Sequence, residues 1–218
     1  MKWLDVATAL VVVSIIASLI SIAVFFVNLK PGLDVVMWSD VIKAILLLHV
    51  FGLLVPMLFV TLAITNSPRP SLSKSDDSKR MVFRIIVPSL LAVSAIILIW
   101  VAYTCPTQKT NGPGLGLAFS VASFLQPFVW IGFGLALSNF RNSCEGNGRS
   151  AIGMAATMFL ASGASLLIAI FLSFLFEKPT LFGMMLPSIS GIILIIGLCT
   201  LVVGIRRAKM EHRGYIYS

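Results

Sequence analysis

The sequence predicts an all-α, polytopic integral membrane protein with six transmembrane helices and both termini in the cytoplasm. Of its 218 residues, 58% are hydrophobic and only 11% are charged, whereas soluble domains carry about 25% charged residues. A soluble fold of this length would lack the polar surface needed to cover itself. The net charge of +8 does not indicate a nucleic-acid partner, because the Lys and Arg residues lie in or beside the polar intervals between apolar runs.

Six apolar runs are each long enough to cross a bilayer, which takes about 20 residues of helix. Their predicted bounds are approximately 6–29, 41–66, 81–103, 114–139, 151–176 and 181–205. Residues 1–218 are therefore expected to form a single transmembrane helical bundle.

The first two runs are both predicted to be transmembrane helices, and the first is not expected to be cleaved off as a signal peptide. The first is too long for the apolar core of a signal peptide, and VFFVNL before Lys30 contains no small-x-small cleavage site. Ser39 or Asp40 can cap the start of the second run. Lys43 lies one turn inside that run, close enough to its end for the amine to reach water.

Aromatic and turn-forming residues mark the ends of the other four runs. The third ends in Trp100 and Tyr103, which suit the membrane interface, and the turn-rich TCPTQKTNGP precedes the fourth. A polar loop, FRNSCEGNGRS, is expected before the fifth run. The four residues EKPT at 177–180 predict a tight turn, which makes the fifth and sixth helices antiparallel neighbours. The tail RRAKMEHRGYIYS is predicted to be a polar extension after the sixth run.

The polar stretch SPRPSLSKSDDSKRMVFR, residues 67–84, fixes the predicted sidedness. With six spans, all 16 Lys and Arg residues except Lys30, Lys43, Lys109 and Lys178 fall on the side of the two termini. The positive-inside rule then places this stretch and both termini in the cytoplasm. Basic side chains at that surface attract anionic lipid headgroups, and the candidates for this contact are Lys74, Lys79, Arg80, Arg84, Arg206 and Arg207.

Charged residues are absent from the middle of every predicted span. Intramembrane Asp, Glu and Arg mark proton relays and ion pathways, because they are costly in lipid. A proton-coupled carrier of the usual type is therefore disfavoured. No nucleophile is accompanied by a base, and no Cys or His spacing suits a metal. The sequence thus predicts no catalytic set, no metal, no cofactor and no enzymatic activity.

A small set of polar and kink-forming residues suggests a cavity inside the bundle. His49 is the only histidine within a predicted span, and Gln126 lies near the middle of the fourth. Pro56 and Pro127 each remove a helical hydrogen bond near these side chains. Transporters build substrate sites from such interrupted helices. The candidate cavity residues are His49, Pro56, Gln126, Pro127 and Trp130.

Two functions are compatible with these features. The first is transport of a small molecule, neutral or amphipathic, by a passive or permease-type protein without a charged relay. The alternative is a non-catalytic structural or assembly subunit of a larger membrane complex, since the short loops leave little room for a soluble domain. The expected partners are the lipid bilayer and either other membrane chains or further copies of this chain, with no nucleic acid.

Overall fold

The structure, a computed structural model, describes residues 2–28, 43–66, 74–104, 113–142, 144, 146–175 and 181–214. Nearly all of these residues are helical, and the all-helical prediction is confirmed. The helices are α1 (Lys2–Asn28), α2 (residues 43–66), α3 (Lys74–Thr104), α4 (Pro113–Arg141), α5 (Gly146–Leu175) and α6 (Leu181–Gly214).

Five of the helices are long and apolar enough to cross a membrane. These segments are Asp5–Val24, Lys43–Ala63, Arg84–Thr104, Gly146–Leu172 and Ile189–Ala208. They indicate a multi-pass integral membrane protein. The remaining helix, α4, has 29 residues; only its side chains at 124–141 are described, and that part alone is not among these five segments.

Three helices extend further than the sequence predicted, because the predicted bounds followed the apolar runs alone. Helix α3 begins at Lys74 rather than at residue 81, so the interval 67–84 is not a loop throughout. Helix α5 begins at Gly146 rather than at residue 151. Helix α6 continues to Gly214 rather than ending at 205, so much of the basic tail is helical. In α6 the extension RRAKMEHR is rich in residues of good helix propensity, which continue a helix once the apolar segment has nucleated it.

The predicted loop at residues 140–150 is also wrong, because the connection between α4 and α5 is much shorter. Helix α4 runs to Arg141, and the backbone N–H of Cys144 donates to the Arg141 carbonyl at 3.1 Å. Gly146 then adopts a φ of 63°, which a residue without a side chain reaches at little cost. The predicted turn at 177–180 lies outside the described residues.

The six helices pack in a ring in chain order. Each helix contacts the next one along the chain, and α6 returns to contact α1. The contacts of α5 with α4 and with α6 are the most extensive. Paired contacts show that these neighbours are antiparallel: on α5, Gly148 approaches Ala208 near the end of α6, whereas Met158 approaches Gly197 further back.

Glycines bring α4, α5 and α6 into close contact. A Cβ atom at Gly134 would lie 2.9 Å from Leu160 Cγ, and one at Gly163 would lie 2.7 Å from the Pro127 carbonyl oxygen. A Cβ atom at Gly204 would lie 2.8 Å from Ile152 Cγ1. Small residues of this kind let membrane helices approach until their backbones touch, which maximises van der Waals contact where lipid gives no hydrophobic drive.

The interior and the outer surface of the ring are both apolar. Fully buried side chains include Leu54, Met57, Phe133, Phe159 and Leu198. On the outside, Phe174 is 82% exposed and Ile96 is 65% exposed. Apolar side chains that point outward from every helix would form an unstable surface in water, but they match the hydrocarbon of a bilayer.

Helix α2 contains a wider turn in its middle. Residues Val50–Leu54 form a π-helical segment in which the Val55 N–H donates to the Val50 carbonyl. Pro56 follows after Val55, and its ring would clash with the carbonyl of Gly52 in a regular α-helix. The wider turn accommodates this proline. Gly52 lies in the same turn and touches Ala17 of α1, leaving no room for a side chain.

Candidate functional site

A cavity of about 220 Å³ lies inside the ring between α1, α2, α4, α5 and α6. Its walls come from the second half of α1 and from the first halves of α2 and α6, so it occupies one half of the bundle. The packed core around Phe133, Phe159 and Leu198 fills the space beyond it. The cavity is therefore a chamber in one half of the ring and not a continuous channel.

Apolar side chains cover most of the cavity wall, including Ile22, Leu53, Leu166, Leu194 and Ile195. Gly191 contributes open backbone, since a Cβ atom there would meet nothing within 4 Å. A chamber with an apolar wall and a few polar groups is the usual form of a small-molecule site.

The polar groups of the wall are three serines, one histidine and one tryptophan. Two of the serine hydroxyls donate to carbonyls of their own helix: Ser18 to Ser14 at 2.8 Å and Ser21 to Ala17 at 2.9 Å. Their protons are thereby occupied, so both oxygens offer lone pairs to the cavity.

The third serine, Ser190, is engaged with α5. Its hydroxyl oxygen lies 2.7 Å from that of Ser162, and each hydroxyl also reaches the other residue's carbonyl, at 3.0 and 3.2 Å. Both side chains are buried. This reciprocal pair joins α5 and α6 beside the cavity.

His49 and Trp130 form the part of the wall that faces α3. Their ring centroids are 6.5 Å apart with planes at 83°, an edge-to-face arrangement. Trp130 also packs against Phe159 at 6.0 Å, and Phe159 packs against Phe133 at 4.7 Å. These aromatic contacts hold the Trp130 ring in place between the cavity and the core.

Gln126 lies behind His49 rather than in the cavity wall. It is one turn before Trp130, on the same face of α4, and its Nε2 donates to Ser94 Oγ of α3 at 3.0 Å. Its side chain also lies against His49. Its buried Oε1, however, has no hydrogen-bond partner among the described residues.

The five predicted cavity residues therefore occupy different positions. His49 and Trp130 line the cavity. Gln126 stands one layer behind His49. Pro56 is buried in α2 beyond the wide turn, and Pro127 is buried at the contact with Gly163. Neither proline lines the cavity; Pro56 shapes the helix that carries His49.

Sequence reasoning missed Ser18, Ser21, Ser94, Ser190 and Gly191. Serine and glycine are common in membrane helices, so their presence alone does not identify a site. A useful signal was available in α1, where Ser14, Ser18 and Ser21 recur at spacings of four and three on one helical face.

The predicted lipid-contact residues lie in the first half of α3 and the last third of α6. Arg84, Arg206 and Arg207 are exposed, whereas the side chains of Lys74, Lys79 and Arg80 lie outside the described part. Two further exposed arginines, Arg141 and Arg149, occupy the same end, because Arg141 crosses Gly153 and Gly148 touches Ala208. Among the described residues, no group of three or more His, Cys, Asp and Glu side chains is arranged to hold a metal.

Comparisons with known proteins do not assign this architecture. No protein-family model matches the chain, and no match was found among curated proteins or solved structures.

Proposed function

We propose that this chain is a membrane transport protein that binds a small molecule, neutral or amphipathic, in the cavity between α1, α2, α4, α5 and α6. The observation that supports this most is the cavity itself, about 220 Å³ in volume, which has a mostly apolar wall and a few polar groups. This volume lies below the roughly 300–1,000 Å³ of sites for drug-sized ligands. The cavity is thus suited to a solute smaller than a typical drug.

The proposed mechanism requires a change of shape. The cavity occupies one half of the ring and the core closes the other half, so a bound solute passes only if that core opens. The π-helical turn Val50–Leu54 lies at the boundary, with His49 on the cavity side and Met57 on the core side. Such turns often mark functional positions in helices, and this one is proposed as the hinge.

The orientation proposed for the bundle has six spans with both termini in the cytoplasm. It rests on the distribution of Lys and Arg described above, with α4 as the sixth span. The cavity then belongs to the outer half of the membrane. The exposed arginines Arg84, Arg206 and Arg207 would lie at the cytoplasmic surface, where anionic headgroups attract each of them by about 1 kcal/mol.

Solute flux through the purified protein tests the proposal. In proteoliposomes, the native chain should accelerate the entry of at least one neutral solute from a panel such as glycerol, urea and erythritol. His49→Leu and Gln126→Leu should remove this acceleration while protein level and thermal unfolding stay unchanged. The same flux in native protein and both variants, or no flux above protein-free liposomes for any solute, would exclude transport through this cavity.

A second candidate function is a non-catalytic subunit of a membrane complex. It is favoured by one face of α5, where Thr157, Ala161 and Ala164 are exposed to the outside at helical spacing. Small residues on an outer face permit close packing of another helix. This alternative predicts stable co-purification with other chains in mild detergent, whereas a transporter that works alone would be recovered as one chain.

A further inference from the structure

Arg141, the last residue of α4, extends its side chain over Gly153 of the neighbouring helix α5. A Cβ atom at Gly153 would lie 2.8 Å from Arg141 Cδ, 3.0 Å from Nε and 3.3 Å from Cζ. Gly153 is buried, whereas Arg141 is exposed. A basic residue in the last turn of a helix can bind the final carbonyls of that helix, but here the guanidinium group reaches across to α5. The missing side chain at Gly153 leaves room for it.

Arg149 lies on the same face of α5 as Gly153. The two residues are four positions apart, which places them one above the other on the helix surface, and Arg149 is also exposed. Arg141 and Arg149 therefore border one patch of surface at this end of the α4–α5 pair. They are the only charged residues in the sequences of α4 and α5, so no carboxylate of these two helices can neutralise them.

Exposed apolar side chains continue from this patch along the outside of both helices. Phe128 and Leu135 of α4 are exposed and seven residues apart, a spacing that places them on one helical face. On α5, Met154 is exposed beside Gly153. A surface that is positive at its end and apolar along its length matches a molecule with an anionic headgroup and hydrocarbon chains.

We propose that Arg141 and Arg149 bind the phosphate group of an anionic phospholipid, whose acyl chains lie along the outer surface of α4 and α5. A guanidinium group suits phosphate because its N–H groups can donate two parallel hydrogen bonds. General attraction to an anionic surface acts on every exposed Lys and Arg, whereas this site depends on where Gly153 allows the Arg141 side chain to lie. The proposal depends neither on transport nor on which side of the membrane this end faces.

Native mass spectrometry of the delipidated protein in detergent tests the site. The probes are phosphatidylglycerol and phosphatidylcholine with identical acyl chains, and the native protein should bind phosphatidylglycerol at least about tenfold more tightly. Arg141→Gln and Arg149→Gln should each weaken phosphatidylglycerol binding about fivefold, the effect of one basic side chain at an anionic surface. Lys43→Gln is the matched control and should keep the native preference. It removes the same charge beside Tyr103 at the end of α3, whereas the second half of α4 packs against the first half of that helix.

Gly153→Ala separates the geometry of the site from its charge. The three atoms nearest to a Cβ at this position all belong to the flexible Arg141 side chain, which can move aside, so thermal unfolding should stay native. Both arginines are retained, yet phosphatidylglycerol binding should weaken about as much as in Arg141→Gln. This variant also serves if Arg141→Gln does not fold.

Several results would overturn the proposal. These are equal affinity of the native protein for the two lipids, native phosphatidylglycerol binding in Gly153→Ala or in both arginine variants, or an equal loss in Lys43→Gln, which would indicate net charge alone. Equal affinity for glycerol phosphate would show a site for anions and not for a lipid. Glu145 lies in the connection, outside the described residues; a phosphatidylglycerol preference that appears only in Glu145→Gln would show that this carboxylate occupies the arginines instead.

Discussion

Ser162 of α5 and Ser190 of α6 exchange hydrogen bonds through both their hydroxyls and their carbonyls. In the membrane interior, where water does not compete, such contacts contribute roughly 0.6 to 2 kcal/mol to helix association. Because Ser190 also belongs to the cavity wall, this pair fixes the position of α6 relative to the solute site.

A double-mutant cycle on this pair should show strong coupling. Ser162→Ala and Ser190→Ala should each lower the free energy of unfolding by about 1 kcal/mol, and the double variant should lose much less than the sum. Thr157→Ala is the matched control, because within the described part of the chain Thr157 bonds to the Gly153 carbonyl of its own helix. Unfolding in mixed detergent measures all four proteins, and additive losses would show that the pair is not coupled.

For single residues, the sequence predicts which side chains are unusual within a membrane span but not which side chains they contact. His49 and Gln126 are recognisable because histidine and glutamine are rare in the spans, and Trp130 is predicted alongside them. Their arrangement depends on Ser94, which is 32 residues before Gln126 in the chain. No local pattern connects these two positions, because the contact arises from the packing of α3 against α4.

Among the helices, glycines determine how closely α4, α5 and α6 approach, whereas one glycine borders empty space. The contrast is between Gly163, whose Cβ would lie 2.7 Å from the Pro127 carbonyl oxygen, and Gly191, whose Cβ would meet nothing within 4 Å. The first position needs glycine for packing. The second leaves room for a side chain at the cavity.

Gly163→Ala should therefore lower the free energy of unfolding by about 1–3 kcal/mol, the usual effect of overpacking. Gly191→Ala should be neutral or stabilising by up to about 1 kcal/mol, because alanine is the better helix former. Thermal or detergent unfolding of both variants checks this. Equal destabilisation would mean that the α4–α5 contact is looser than the structure shows.

The helical fold class follows from composition. Helices α1, α4 and α6 also begin within a few residues of the start of their apolar runs. Helices α3, α5 and α6 extend beyond those runs, because hydropathy reports where lipid ends and not where helical hydrogen bonding ends. Asp76 and Arg80 illustrate this, since opposite charges four residues apart favour a helix in water. Pro56 indicated an interruption of α2, but the wider turn that accommodates it depends on the packing of Gly52 against Ala17.

For the molecule as a whole, the proposed orientation can be tested by chemical labelling. In a variant with Cys105, Cys144 and Cys199 replaced by serine, Ser73→Cys should react with an impermeant thiol reagent only from the cytoplasmic side. Lys109→Cys, in the same background, should react only from outside. Labelling of Ser73→Cys from outside would reverse the orientation, and labelling of both positions from one side would contradict six spans.

The position of the cavity depends on the ring arrangement of the helices, in which the last helix contacts the first. Because α6 returns to α1, the cavity is lined by helices from both ends of the chain. Sequence patterns do not reveal this closure, since helices of similar hydropathy could be arranged in many orders around one another. A solute bound in the cavity would therefore contact helices from both ends of the chain and lie beside the packed core.

The most direct test of the account is solute flux in proteoliposomes after filling the cavity from Gly191. Gly191→Leu adds a side chain where there is open space, and Ile192→Phe adds bulk at the neighbouring residue, which is 59% exposed on the outside. Transport through this cavity predicts that Gly191→Leu reduces solute entry to the rate of protein-free liposomes, whereas Ile192→Phe retains the native rate. Native flux through a folded Gly191→Leu protein would contradict it.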